Sequence, residues 1–502
     1  MKRRFLSLGS TGRHPVVRGS LQRTGFATSR VYVAGHSASG RMLLAGSLCS
    51  PELSAHYECE RPIWKLTGLI LILAAGWVHP ADAVTLETVL QTTLEKNPAI
   101  QEAKSGLEQA AGQRLVFRSV VLPRAEVGVP AGIQGGHRAG ESGIKGFALG
   151  RGFLTQTLFN AGVPSWLRRG DIEVLIAQQQ LNVAVVEQLH AARLAFYTAL
   201  YTRSLESVRE EQRRRLRENV ATQKNRYEAG LVNQGAFASA TVQASELDPQ
   251  IESTHRWHLD AQLKLAEAMG IDPGAKASLP EPEGELQLVP MQVDLDSETA
   301  AALQRRADLK LARLFVRAAN EDQRIIEADY YPAVVGSISG DYVPVTGIHR
   351  EGSTSKTQDF IGSEIRERAA YTWRVVDNGK VRGAALRARA AREINELTCR
   401  KLEANIGREL SRIANDLKIT EVRERSLAAA SAAAEESALT VQQNVASGLA
   451  SPLEYRDTQN AFLETRSGWL DAIYQHNLAA AEWDRATGRY FQFSDDTAQN
   501  VH

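Results

Sequence analysis

Residues 165–229 decide the fold of this chain, and their sequence is SWLRRGDIEVLIAQQQLNVAVVEQLHAARLAFYTALYTRSLESVREEQRRRLRENVATQKNRYEA. This stretch of about 65 residues contains no proline and a single glycine, Gly170. At about 1.5 Å per residue, one helix of this length extends roughly 100 Å, far beyond an ordinary globular helix. The sequence therefore predicts one very long helix that ends just before Gly230 and Leu231.

The apolar residues of this helix lie along one row. They are spaced by fours and threes, and Arg193 completes the row: Val185, Leu189, Phe196 and Leu200. Such a row is typical of a seam that packs against other helices. Charged residues interrupt the helix everywhere, so it is not a membrane span.

The same design recurs about 217 residues later in the chain. Five apolar residues have the same spacing: Leu402, Ile406, Leu410, Ile413 and Leu417. The end of the helix recurs as well, because Gly448 and Leu449 repeat Gly230 and Leu231. A repeat of this length indicates two copies of one large structural unit.

Composition excludes several classes of protein. The 502 residues carry a formal net charge of +1, which favours neither nucleic acid nor an acidic partner. The three cysteines, Cys49, Cys59 and Cys399, form no CxxC motif and have no metal-ligand spacing. His255 and His258 are three residues apart but have no third ligand nearby, so we interpret them as surface histidines. We predict no cofactor and no metal.

Residues 1–60 do not resemble the rest of the chain. The first fifty contain eight Lys or Arg and no acid. Within them, Ser37 lies in a stretch that resembles a nucleophile elbow, but Ser39 occupies the position of the last glycine. No room remains before residue 60 for the sheet, acid and histidine of a hydrolase. We interpret this segment as an unstructured leader or a misassigned start, and an enzyme as the weakest hypothesis.

Residues 61–83 have the features of a secretory signal. Arg61 and Lys65 precede an apolar run of about 13 residues, which ends before the A-x-A pattern of Ala81 and Ala83. The run is too short for a helix that spans a bilayer of about 30 Å. The alternative is an N-terminal anchor helix. We expect a mature chain that begins near Val84, without a lipidated cysteine.

Each half of the mature chain is predicted to contain a helix pair, two strands, a very long helix, a hinge and a return helix. The predicted ranges are 84–278 for the first repeat, with strands at 119–159 and a helical hairpin at 163–269; 279–295 for a linker; 296–490 for the second repeat, with strands at 331–376 and a hairpin at 380–487; and 491–502 for a tail. The first return helix is expected to run from Gln234 to Met269, with a bend near Pro249.

Four strands in a secreted protein raise a problem of closure. In lipid, every backbone group must be paired and no sheet edge stays open. Four strands are too few to close a barrel with a lumen, since bacterial membrane barrels start at about eight. Closure therefore needs several copies of the chain in a ring. Long helices attached to such strands would project a tube, so the predicted object is a conduit.

These features resemble the TolC-like outer-membrane efflux proteins over residues 85–490. The resemblance rests on Asn97-Pro98, the duplicated strand pairs, the matching turns at Asn160-Ala-Gly162 and Asp377-Asn-Gly379, and the two Gly-Leu hinges. It implies a mainly α fold with a trimeric 12-stranded β-barrel and a periplasmic α-barrel. It also implies a passive outer-membrane channel that works with a periplasmic adaptor and an inner-membrane transporter.

The resemblance implies functional residues at the hairpin ends. Glu454 and Asp457 follow the second hinge, where the family carries acids that narrow the periplasmic entrance, and Gly230, Leu231, Gly448 and Leu449 form the tips that dock an adaptor. Ser451 and Glu454 also form a capping box, which alone would explain Glu454. The polar latch of well-known members is missing at three positions: Ala236, Val445 and Ala450.

Three alternatives stay open at the level of sequence. The channel could serve a type I protein secretion system, and the sequence does not tell which substrate is exported. A periplasmic adaptor also has long hairpins, although it normally has a single set. Tyr371 and Trp373 fit lipid-facing aromatic residues, or ordinary strand packing.

Overall fold

The computed structural model describes residues 83–135, 144–272, 279–342 and 363–494. The leader with Ser37 and Ser39, the signal sequence up to residue 82, both strand-connecting loops and residues 495–502 lie outside this part of the chain. Among the described helices, none has the length and the apolar character that a membrane span requires. The described residues also contain no group of three or more potential metal ligands.

The described chain consists mainly of helices. In chain order they are α1 (Leu86–Lys96), α2 (Pro98–Arg118), α3 (Val163–Glu228), α4 (Gln234–Met269), α5 (Leu295–Arg305), α6 (Ala307–Glu327), α7 (Lys380–Ala446) and α8 (Pro452–Ala486). The strands are β1 (Ala83–Val84), β2 (Arg124–Gly128), β3 (Ala131–Gly135), β4 (Ile144–Ala148), β5 (Gly150–Phe159), β6 (Glu281–Pro282), β7 (Ala333–Tyr342) and β8 (Ser363–Thr372).

The helix ends agree with the predicted ones within a few residues. Helix α4 has the predicted bounds and continues through Pro249, and Gly270 ends it in the left-handed conformation with φ of 70°. The strands differ more from the prediction. Pro130 interrupts the first predicted strand, because it cannot donate a ladder hydrogen bond. Helix α7 is preceded by a strand that already ends at Thr372, so Trp373 lies beyond it.

The predicted seams form the helical core. In α3, Val185, Leu189, Phe196 and Leu200 are all buried, and Arg193 reaches Asp484 of α8 with an N–O distance of 2.6 Å. In α7, the matching row packs against α5, α6 and α8, with Ile406 and Leu410 fully buried. Full burial of a Leu or Ile side chain stabilises a fold by about 1.5–3 kcal/mol.

The two long helices differ by one residue, since α3 has 66 residues and α7 has 67. Below the insertion the repeats match at a spacing of 218. Two buried pairs show this match: Thr202 contacts Nδ1 of His258 at 3.2 Å, and Thr420 contacts Nδ1 of His476 at 3.1 Å. The interpretation of His258 as a surface residue is therefore wrong. Burial lowers the pKa of His258 because the charged imidazolium would be desolvated.

The four longer strands form one antiparallel sheet in the order β2-β5-β7-β8. Strands β2 and β8 are its edges. Strands β3 and β4 pair separately, and β1 pairs in parallel with β6, which joins the start of the described chain to the linker between the repeats.

The register gives the sheet two different faces. One face carries most of the charged and hydroxyl side chains: Arg124, Glu126, Arg151, Phe153, Thr155, Thr157, Val335, Ser337, Ser339, Asp341, Glu364, Arg366, Arg368 and Ala370. The other face is mainly apolar: Ala125, Val127, Leu154, Val334, Ile338, Ile365, Ala369 and Tyr371, with Gln156 and Glu367 as the polar exceptions. We call them the polar face and the apolar face.

Ion pairs connect the helices near the start of the second repeat. Arg306 contacts Asp308 at 2.8 Å and Glu409 at 2.6 Å. Arg485 joins Glu409, at 2.8 Å, to Glu482, at 2.6 Å. His190 of α3 contacts Glu482 at 3.1 Å, so the network couples α3, α7 and α8 to the N-terminus of α6.

This network predicts a dependence of stability on pH. Hydrogen bonds from His190 and Arg485 lower the pKa of Glu482 well below its usual range. As pH falls, the unfolded chain takes up this proton first, so the stabilisation is present above the ordinary carboxyl pKa and is lost below it. We expect the melting temperature of the detergent-solubilised protein to fall between pH 7 and pH 4. The Glu482→Gln variant should melt lower at pH 7 and show a smaller fall, and an equal fall in both proteins would contradict this role.

Candidate functional site at the hairpin ends

The two hinges have the same geometry. Gly230 has φ of 72° and Gly448 has φ of 77°, a conformation that costs glycine little and other residues more. Each glycine ends its helix in a Schellman motif: the amide of Leu231 donates to Arg226 O at 2.8 Å, and the amide of Leu449 donates to Asn444 O at 2.7 Å. The motif reverses the chain between the long helix and its return helix.

Both return helices begin with a side-chain cap. The side chain of Asn233 accepts from the Ala236 amide at 2.9 Å, and the Ser451 hydroxyl accepts from the Glu454 amide at 3.1 Å. These bonds satisfy amides that a helix start leaves free. The carboxylate of Glu454 does not reach back to the Ser451 amide in the described structure, so only half of the predicted capping box forms.

The two acids of the predicted entrance lie on the outside of the second hairpin. Glu454 and Asp457 are both exposed, whereas Tyr455 and Gln459 on the opposite side are buried. Asp457 contacts its neighbour Arg456 at 3.2 Å, a weak exposed pair. The helix therefore presents two carboxylates one turn apart to the surroundings of a single chain.

The tips also expose apolar side chains. Leu231 is 70% exposed and Leu449 is 81% exposed, each directly after its hinge glycine. Tyr227 and Phe237 stack across the first hairpin end with 6.0 Å between their ring centroids. The tips thus combine a fixed backbone turn with apolar side chains that nothing in the described chain covers.

One contact ties the two hairpin ends together. Arg226, in the last turn of α3, donates from Nη1 to the carbonyl of Val445 in the last turn of α7 at 2.7 Å. A Cβ added to Gly448 would lie 3.2 Å from Nη2 of the same arginine. The guanidinium thus sits against the second hinge and supplies positive charge at a helix C-terminus, where the backbone carbonyls are negative.

The positions that lack the latch residues are apolar contacts here. Val445 is buried and packs with Leu216, Leu247, Ile251 and Tyr455, and Ala450 lies at the edge of this cluster. Ala236 has only its amide engaged, by Asn233. The contact that sequence reasoning missed is Arg226, because an arginine aimed at a backbone carbonyl leaves no partner residue in the sequence.

Polar side chains interrupt the seam above the tips. Gln223, Gln459 and the Tyr455 hydroxyl are buried, yet each has a polar atom without a hydrogen-bond partner in the described residues. An unsatisfied buried polar group costs about 1–3 kcal/mol. The hairpins are thus held less tightly here than in the apolar seam around Val185 and Leu189.

A family model described as "Outer membrane efflux protein" matches residues 89–271. Residues 89–271 belong to that family. The match begins in α1 and ends just after α4, so it covers the first repeat with its strands and its hairpin. The family consists of outer-membrane efflux channels, and the predicted relationship to TolC-like proteins is confirmed.

Solved structures of outer-membrane channels share the fold of this efflux-protein chain. The CmeC outer membrane channel of Campylobacter jejuni superimposes with a TM-score of 0.71 at 13% identity, over 83% of this chain and 88% of that chain. The outer membrane protein VceC of Vibrio cholerae gives 0.68 at 16% identity, over 80% and 96%. A membrane protein of Pseudomonas aeruginosa gives 0.69 at 17% identity, over 80% and 92%. No curated protein sequence matches the chain.

We predict that Arg226 holds the hairpin ends of this efflux protein together. A hydrogen bond from a charged group contributes about 1.5–3 kcal/mol, enough to bias the position of two exposed tips. Spin labels on Leu231→Cys and Leu449→Cys should report a longer or broader distance distribution in the Arg226→Met variant than in the parent protein. As a control, Arg425→Met removes an exposed arginine that pairs only within α7, and it should change nothing. Identical distributions with and without Arg226 would rule out the tie.

Proposed function

We propose that this chain is the outer-membrane channel of a tripartite efflux system, a passive conduit from the periplasm or an inner-membrane transporter to the exterior. The observation that carries the proposal is the four-stranded sheet with an apolar face, a charged face and two free edges. The family and the shared fold support it.

The two faces of the sheet suit lipid on one side and water on the other. Arg366 and Arg368 lie in the middle of β8 on the polar face. An arginine that faces lipid at the bilayer midplane costs about 2–4 kcal/mol in a membrane barrel. Strands β5, β7 and β8 each have ten residues, the length that crosses a bilayer when tilted. The polar face therefore lines the lumen, and the apolar face contacts outer-membrane lipid.

The free edges require further copies of the chain. The helices repeat the order of the strands, because α3 packs against α2 and α6, and α6 packs against α7. In both layers the first and last elements of one chain are free to meet a neighbour: β8 would pair with β2, and α7 would pack against α2. A head-to-tail contact of this kind closes into a ring. We propose a homotrimer, as the family resemblance implies, which places 12 strands in the barrel.

The helical hairpins extend from the same end of the strands, so in a trimer they form a tube in the periplasm. Glu454 and Asp457 would then lie around its narrow end, and the exposed Leu231 and Leu449 would meet a periplasmic adaptor. The adaptor in turn connects the tube to the inner-membrane transporter. None of these steps involves catalysis, so the chain acts as a conduit and not as an enzyme.

The first prediction for this function concerns processing. Strand β1 begins at Ala83, and Val84 is already buried in the core around Phe196. Residues upstream are thus dispensable for this packing, and we expect the membrane-inserted protein to begin near Val84. N-terminal sequencing of outer-membrane fractions tests this expectation. A sequence that still contains Cys49 or Cys59 would contradict it.

The second prediction concerns conduction. Purified protein should give stepwise conductance increases in planar lipid bilayers, because a ring of copies leaves a water-filled lumen. The matched control is protein that has been heat-dissociated to single chains, which should give no steps. If the native assembly inserts into the bilayer but never conducts, the proposed channel is wrong.

The third prediction concerns the entrance. Six carboxylates from Glu454 and Asp457 would attract cations, so the entrance should be cation-selective and blocked by multivalent cations. Asp457→Asn and Glu454→Gln should both fold, since Ser451 supplies the cap, and each should shift the reversal potential in asymmetric salt and weaken divalent block. The control is Glu435→Gln on the outer part of α7. If reversal potential and block stay unchanged in both entrance variants, these acids do not line the entrance.

A further inference from the structure

The polar face of the sheet has its own charge pattern, separate from the acids at the periplasmic entrance. Its described residues include four arginines and three acids: Arg124, Arg151, Arg366 and Arg368, with Glu126, Asp341 and Glu364. The two ends of the proposed conduit therefore carry charges of opposite sign.

Three of the four arginines are neutralised by acids on the same face. Arg151 contacts Asp341, its partner on the neighbouring strand, at 2.7 Å. Arg124 pairs with Glu126, and Arg366 pairs with Glu364, in both cases two residues apart on one strand.

Arg368 is different. Among the described residues it has no carboxylate within ion-pair distance and no hydrogen-bond partner, and its side chain is exposed. The acid beside it in sequence, Glu367, points to the opposite face of the sheet because side chains alternate along a strand. Arg368 thus contributes a full positive charge that nothing on the polar face offsets.

The neighbours of Arg368 in the sheet are hydroxyl side chains. The register aligns it with Ser337 of β7 and Thr155 of β5, and Arg124 completes the row on β2. Arg368 is the sixth of the ten residues of β8, so this row lies near the middle of the strands. A guanidinium flanked by hydroxyl donors is the chemistry that recognises an oxyanion.

We propose that this row is a layer in the lumen that attracts and weakly binds oxyanions, such as carboxylate- or phosphate-bearing solutes. The proposal rests on the proposed function, since it needs the polar face to line a water-filled barrel. In a ring of three chains the layer holds three unpaired Arg368 guanidinium groups together with the hydroxyls of Ser337 and Thr155. A solute would pass an acidic entrance first and a basic layer before it leaves.

The experiment measures the local potential with charged thiol reagents. Ser337→Cys places a probe in the row, in a background in which the three native cysteines are replaced by alanine. The protein in proteoliposomes is treated with a negatively charged sulfonatoethyl methanethiosulfonate and a positively charged trimethylammonioethyl methanethiosulfonate. The ratio of the two reaction rates, divided by the same ratio for a free thiol in solution, reports the sign of the potential at the probe.

We expect the anionic reagent to be favoured, and Arg368→Gln to lower the ratio about fourfold or more, as for a charge roughly 10 Å away in water. Arg368→Lys keeps the charge and should keep the ratio. The matched control is the double variant Glu364→Gln with Arg366→Gln, which removes a neutral pair from the same face and should also leave the ratio unchanged.

Failure of this inference is distinct from failure of the conduit. If Ser337→Cys reacts with both reagents but Arg368→Gln does not change the ratio, the layer does not attract oxyanions and the lumen still stands. Ile338→Cys, on the apolar face, should react with neither reagent. If Ile338→Cys reacts as fast as Ser337→Cys, the polar face is not a lumen, and both the layer and the proposed barrel are wrong.

Discussion

The unpaired backbone groups along the edges of β2 and β8 are the constraint on which the rest of the structure depends. A four-stranded sheet with one apolar face is stable in lipid only when both of its edges are paired. The chain offers no further described strand for this purpose, because β3 pairs with β4 and β1 with β6. The neighbouring copy is therefore the natural partner. The same head-to-tail arrangement then brings α7 of one chain against α2 of the next.

The helices below the sheet divide into a firmly held part and a loosely held part. Around Val185 and Leu189 the seam is apolar, and the ion-pair network of Arg306 and Arg485 joins the two repeats. Toward the tips the seam contains buried glutamines with unsatisfied atoms, and Arg226 provides a single tie between the hairpins. Because the apolar seam stabilises the helices and the unsatisfied polar atoms cost free energy, motion should concentrate at the tips. An entrance that opens and closes needs this distribution of stability.

The sequence predicts the helices well because helix formation is local. The bounds of α4 and both glycine hinges follow from period, proline and glycine alone. The strand ends are less predictable, since pairing decides them, and Trp373 lies outside its predicted strand. The burial of His258 depends on a partner helix about 56 residues away, and the tie from Arg226 ends on a backbone carbonyl. Neither contact has a signature in the local sequence, although the recurrence of Thr and His at the same spacing in both repeats was a usable signal.

The central claim is that the free edges of one chain are closed by identical chains. The most direct measurement is the mass of the detergent-solubilised assembly by native mass spectrometry under conditions that keep the strands paired. The account predicts a single species of three mature chains, which dissociates only when the sheet unfolds on heating. A folded species that contains one chain would contradict it, because such a chain would leave the edges of β2 and β8 open.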